Sequence, residues 1–145
     1  MQAIEYPYQY HVEVIFHHLD AMGHVNNVTF FMYLETARIK YVSHLWAKPN
    51  IMDAPIILAQ ADCSYVAPAF LGETLVVGAG VTRLGNKSFD LAYRIDGENG
   101  RHIASAHTTQ VTYNYHLRQT IPIPDLLRQR IHEFQNGWQL AEAAP

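Results

Sequence analysis

Asp20 precedes Gly23, His24, Asn26 and Asn27 in the stretch from Leu19 to Arg38, LDAMGHVNNVTFFMYLETAR, and an uninterrupted helix-forming run follows the asparagines. That order sets a carboxylate just ahead of a helix N-terminus, where the first backbone N–H groups lack intrahelical acceptors and the macrodipole favours negative charge. A carboxylate and free amides facing one small space suit acyl transfer at a carbonyl. The acid attacks the carbon or activates water, and the amides hold the oxygen as it gains charge. His24 stands where it can donate to the same oxygen or tune Asp20. The competing readings are structural: an aspartate that caps a turn, asparagines that cap the helix, a histidine in a polar loop.

Other chemistries find less in the sequence. Nine histidines raise the question of a metal, but His17 and His18 are neighbours that a strand would turn to opposite faces, and no H-x-x-x-H pair or carboxylate cluster completes a ligand set with His24. No metal site is therefore expected. Cys63 is the single cysteine, which rules out an intrachain disulfide. It falls within QADCSYV, an apparent strand, and reads as a small packed side chain. Ten basic against thirteen acidic residues, a net charge of −3, and no basic cluster give nucleic-acid binding little electrostatic support. No apolar run reaches the roughly 18 residues of a membrane helix, and the start, MQAIEYPYQYHVE, lacks the pattern of a secretory signal, so a cytoplasmic protein with no membrane partner is expected.

The elements that position Asp20 follow from periodicity. Tyr10, Val12, Val14 and Phe16 alternate with His11, Glu13, Ile15 and His17, which predicts a strand with one apolar face running into Asp20. From Val28 the period changes. Phe30, Leu34, Ala37, Tyr41 and Leu45 fall at helical spacing, with Ile39, Val42 and Trp46 as a second stripe, and Pro49 ends the helix by disfavouring helical geometry at Lys48. Strands are then expected over Ile56 to Phe70, Glu73 to Leu84, Ser88 to Ile95 and Arg101 to Tyr115, with hairpin turns at LGNKSF and DGENG. A last helix starts near Pro124 and Asp125 and buries Leu127, Ile131 and Phe134. The 145 residues, 49% apolar and 16% charged, suit a single domain over 1–145. The fold class is α+β, a largely antiparallel sheet of about five strands wrapped around one long helix. Such a sheet covers the helix on one side only, so the remaining apolar stripe and the sheet edges predict a homo-oligomer.

These residues resemble the hot-dog-fold thioesterases, in the branch similar to 4-hydroxybenzoyl-CoA thioesterase. The likeness rests on D-x-M-G-H-V-N-N at Asp20 to Asn27 and E-x-A-R at Glu35, Ala37 and Arg38. Tyr65, Pro68, Gly72 and the LGNKSF segment at Leu84 to Phe89 follow in the family's order. The resemblance implies hydrolysis of an acyl thioester without metal or prosthetic group, by a homodimer or homotetramer. The substrate would be acyl-CoA or, because H-V-N-N is also similar to acyl-ACP thioesterases, acyl-ACP; a non-catalytic acyl-binding module is the alternative outside enzymology. Carried over by position, Asp20 matches the catalytic carboxylate, the backbone N–H of Asn27 the donor to the thioester carbonyl, and Gly23 the glycine of the tight loop. Asn26 is expected to cap the helix or to orient water or Asp20, and Phe30 to line an acyl tunnel; the family's usual tyrosine after H-V-N-N is that phenylalanine here. Lys87 matches a basic residue that contacts the nucleotide end of coenzyme A, its two basic neighbours being replaced by Gly85 and Asn86. Glu35 is a rival carboxylate, since related thioesterases place theirs about two turns into this helix; paired with Arg38 it is an ordinary surface position.

Overall fold

Residues 1–46 and 55–142 are described by a computed structural model of the chain. Helix α1 spans Asn27–Trp46. The expected terminator, Pro49, lies outside the described residues, as does Lys48. The first stripe behaves as its spacing predicts: Phe30, Leu34, Ala37, Tyr41 and Leu45 are all buried. The second stripe divides, Val42 being buried while Ile39 and Trp46 are only partly covered. Each fully buried large apolar side chain stabilises the packing by about 1.5 to 3 kcal/mol, so this one face of α1 is a main contributor to the core.

Five long strands are found among the described residues: β1 (Tyr8–Glu13), β2 (Ile56–Tyr65), β3 (Thr74–Leu84), β4 (Ser88–Asp96) and β5 (His102–Asn114). They pair antiparallel in the order β1-β3-β4-β5-β2. A two-residue strand β6 (Gln119–Thr120) joins β5, and β7 (Ala141–Glu142) runs parallel to β3. Helix α2 (Asp125–Gln135) closes the chain against α1 and β3. The sheet curls around α1 as the hot-dog fold requires, and its inward faces are Leu75, Val77, Ala79 and Val81 on β3 and Phe89, Leu91, Tyr93 and Ile95 on β4. The second half of β5 turns polar residues to the core. Its inward residues after Ala104 and Ala106 are Thr108, Gln110 and Thr112, all buried, and each makes a side-chain hydrogen bond, while the Gln110 oxygen Oε1 has no partner among the described residues. Thr108 shares a 2.7 Å hydrogen bond with the Tyr93 hydroxyl, and Gln110 donates to the Phe89 carbonyl at 3.0 Å.

Two expectations are corrected. The first strand stops at Glu13, and Phe16 opens a 3-10 turn (Phe16–His18) with 76% of its surface exposed instead of sitting on the core face. The chain turns there because Ile15 N–H donates to the His18 ring nitrogen Nδ1 at 3.2 Å, which breaks the alternation. On α2, Leu127 and Ile131 are buried as expected, but Phe134 is 42% exposed, and Gln135 takes the next core position. A step of four residues from Ile131 leads to 135, so the helical face continues through the glutamine.

Candidate active site

The loop between β1 and α1 is folded on itself before it reaches the helix. Leu19 and Val25 form an antiparallel bridge, Asp20 N–H donates to the His24 carbonyl at 3.0 Å, and Gly23 N–H returns to the Asp20 carbonyl at 3.2 Å. Gly23 takes φ +86°, the left-handed region that glycine enters without a Cβ penalty. Asn26 N–H donates to the His18 carbonyl at 2.9 Å, and Val25 N–H to the Ala69 carbonyl at 2.8 Å, so the loop is tied both to its own entry and to the chain beyond β2.

Helix α1 begins with Asn26 as its cap. The Asn26 side chain accepts from Val28 N–H at 3.0 Å while its carbonyl accepts from Thr29 N–H at 2.9 Å. Asn27 is the first helical residue, and its own N–H finds no acceptor among the described residues. The amides on either side are thus spent, Asn26 N–H on the His18 carbonyl and Val28 N–H on the Asn26 cap, and the Asn27 N–H is the donor left over at the positive end of the helix.

Asp20 and Asn27 line one cavity of about 520 Å³, together with His24, Val25, Phe30, Tyr65, Val66, Ala67 and Pro68. Asp20 plays two parts. Its Oδ1 accepts from Met22 N–H at 2.8 Å, the turn-capping role open to any aspartate, while Oδ2 accepts no hydrogen bond among the described residues. Its side chain is 28% exposed, so the acid is reachable from solvent without standing in it. His24 Nδ1 lies 4.0 Å from Asp20 Oδ2 and 3.3 Å from the Val25 carbonyl; a carbonyl only accepts, so Nδ1 carries the proton there. The remaining wall is apolar. Phe30 and Tyr65 meet edge to face with centroids 5.3 Å apart, and Val66 and Pro68 continue from the end of β2. Fixed donors, one free carboxylate oxygen and an apolar wall are what attack on an acyl carbonyl needs.

Asp20, Gly23, His24, Asn27 and Phe30 are therefore brought together, with Asn26 behind them as the cap. Lys87 is not among them. It sits in the β3–β4 turn, beyond Leu84, whereas the Asp20 loop adjoins the Thr74 end of β3. The 11 residues of β3 separate those ends by roughly 30 Å. Glu35 is 71% exposed with Oε2 4.0 Å from Arg38, and it is not among the residues around the cavity. Cys63 is half-buried on β2, and burial pushes its thiol up, the reverse of what an activated nucleophile requires. His17, His18 and His24 join no group of three or more metal-ligating side chains among the described residues.

A larger cavity, about 710 Å³, is lined by Phe70, Glu73, Glu98 and Arg101, among others. Its buried carboxylate is fully engaged: Glu73 accepts from Arg101 at 2.6 Å and from the Phe70 and Glu98 amides at 3.2 Å each. That group is structural, holding the wall, since Arg101 also donates to the Pro68 carbonyl at 2.9 Å. The walls contributed by Tyr65 to Pro68 do not stand out in the sequence as part of the site. Their only signal is the position of Tyr65 and Pro68 in the family pattern, because periodicity does not reveal which strand end closes over which loop.

Comparison with known proteins bears on the family and the fold. A thioesterase from Thermus thermophilus, solved in complex with coenzyme A and zinc, is 29% identical with a TM-score of 0.82, over 90% of this chain and 96% of that one. A gentisyl-coenzyme A thioesterase is 27% identical with a TM-score of 0.75, over 85% of this chain and 98% of the other. An uncharacterised protein of Bacillus subtilis, YsmA, is 33% identical over 88 residues, spanning 61% of this chain and 58% of that protein's length. Residues 14–131 match the profile of the thioesterase-like superfamily, and with the match running from the end of β1 through most of α2, the chain belongs to that superfamily.

Proposed function

We propose that the chain hydrolyses acyl-CoA thioesters at the Asp20 cavity. The observation that carries the reading is the pairing of a free carboxylate oxygen, Asp20 Oδ2, with an unspent helix N-terminal amide, Asn27 N–H, around one apolar-walled space. The thioester oxygen rests on Asn27 N–H, and its charge grows there as the carbonyl carbon becomes tetrahedral; losing one such donor typically costs about 2.7 to 4 kcal/mol. In one route Asp20 Oδ2 bonds to the carbonyl carbon, the C–S bond breaks with release of the thiolate, and water then hydrolyses the mixed anhydride. In the other, Oδ2 takes a proton from water as the water oxygen bonds to the carbonyl carbon, and the tetrahedral intermediate collapses with cleavage of the C–S bond and release of the thiolate. His24 steadies the loop through its hydrogen bond to the Val25 carbonyl, with its ring 4.0 Å from Oδ2. A coenzyme A substrate is supported by the 29%-identical thioesterase bound to coenzyme A.

The working form in this proposal is a homo-oligomer. Strand β2 pairs with β5 on one side only among the described residues and exposes Ile57, Leu58 and Tyr65. A second copy is also what would bring a Lys87 to the nucleotide end of the substrate, since its own chain holds it at the far end of β3. The test is thiol release from a panel of aliphatic and aryl CoA esters and an acyl-ACP. Turnover of CoA esters supports the proposal, and much faster turnover of the carrier-protein substrate selects acyl-ACP. Saturable ligand binding with no turnover assigns the chain to non-catalytic acyl binding.

A further inference from the structure

The first turn of α1 is held from outside the helix. Tyr65, the last residue of β2, donates its hydroxyl to the Asn27 carbonyl at 2.8 Å. The other end of the same peptide group is also gripped, Val28 N–H donating to Asn26 Oδ1 at 3.0 Å. On the near side of Asn27, the Asn26 carbonyl accepts from Thr29 N–H. Both peptide planes flanking the Asn27 Cα are thereby pinned, and the one polar group of that residue's backbone left unpaired among the described residues is its N–H. First helical turns fray unless their orphan groups are satisfied, so the direction of this N–H depends on these grips.

Tyr65 is also part of the cavity. Its ring stands edge-on to Phe30 and lines the space that holds Asp20 and His24. Position 30 carries no hydroxyl, and β2 brings a phenol into the same space from across the fold.

We propose that Tyr65 is a positioning residue for the thioester site: by holding the Asn27 carbonyl, its hydroxyl aims the Asn27 N–H at the oxygen that gains charge. This rests on the reading of Asn27 N–H as the oxyanion donor. Burial, with Cys63 beside it, pushes the Tyr65 phenol up to about 12, so the donor keeps its proton across the neutral range. The role links the sheet edge to the chemistry, because the residue that aims the amide belongs to the strand with an open side.

The test compares wild type with Tyr65→Phe, which removes the hydroxyl and keeps the ring, and Tyr65→Leu, which removes both. For Tyr65→Phe, kcat on the best CoA ester is expected to fall about 3- to 10-fold, the value of one neutral hydrogen bond, with KM within about twofold and a melting temperature lowered by no more than about 4 °C. Tyr65→Leu is expected to show the same loss of kcat and a raised KM. A readout that a purely structural role would not move is the carbonyl stretch of a thioester bound to the Asp20→Asn chain. Adding Tyr65→Phe is expected to shift the stretch back toward its value in water. A Tyr65→Phe enzyme with wild-type kcat, a change confined to KM, or an unmoved carbonyl stretch overturns the role of Tyr65. A wild-type chain that turns over no thioester overturns the functional reading beneath it.

Discussion

Gly23 shows how narrowly the Asp20 loop is specified. Nothing lies within 4 Å of the place a Cβ would occupy, yet the backbone sits at φ +86°, so only conformational strain opposes a side chain there. Gly23→Ala is expected to cost about 1 to 2 kcal/mol and to lower kcat more than KM, as the strain is relieved by shifting Asp20; paired thermal melts and steady-state kinetics check it. Asn26→Ala should cost about 1 kcal/mol, roughly 4 °C in melting temperature, because it releases Val28 N–H. At this scale the sequence is largely legible: Asp20, His24 and the asparagines are contiguous, so local chemistry places them together. The choice between Asn26 and Asn27 as cap is not, because it depends on where the first helical turn begins. The pairing of Tyr65 with Asn27 spans 38 residues and has no local signature.

Between elements, polar side chains make joints that a hydrophobic pattern cannot announce. Gln135 accepts from Val81 N–H at 2.6 Å and donates to the Val81 carbonyl at 2.8 Å, while the Tyr41 hydroxyl donates to it at 2.7 Å. It therefore acts as a substitute strand partner for β3 beyond the reach of β1, and it locks α1 and α2 to the sheet. Gln135→Leu keeps the volume but strands three buried groups, and a loss on the order of 3 kcal/mol is expected by denaturant titration. The periodicity that marks Leu127 and Ile131 is right about the face and wrong about its last member, since a buried glutamine reads as polar until its partners are known. The Glu73–Arg101 clasp makes a similar joint beneath Pro68. Burial pushes the Glu73 carboxyl up, but the Arg101 guanidinium and the Phe70 and Glu98 amides outweigh it and hold it below its ordinary value. A carboxyl lowered by folding stabilises the native state above its unfolded pKa of 4.5, and that contribution is lost as pH falls further, through the folded value. Glu73→Gln is expected to reduce stability at pH 7 and to flatten the acid side of a stability–pH profile below about pH 4.5, measured by melts across pH.

For the whole molecule, the order of strand, long helix, four strands and short helix is legible because each period change and hairpin turn is local. The sheet order is not. β2 follows α1 in the chain yet pairs with β5, which leaves it at an edge and puts Tyr65 over the helix N-terminus. The same topology sends Lys87 to the far end of β3, a placement that motif matching alone could not supply. The open edge carries its own prediction. Wild type is expected to sediment as a dimer or tetramer, and Leu58→Lys on β2 is expected to shift it toward monomer with reduced turnover. The measurement that bears most directly on the account is the single-turnover rate of thiol release by Asp20→Asn on the best CoA ester, alongside its melting temperature and substrate affinity. A fall of about 10²- to 10⁴-fold with folding and binding intact is the predicted result. Retention of the full rate would contradict the account, whatever the fold.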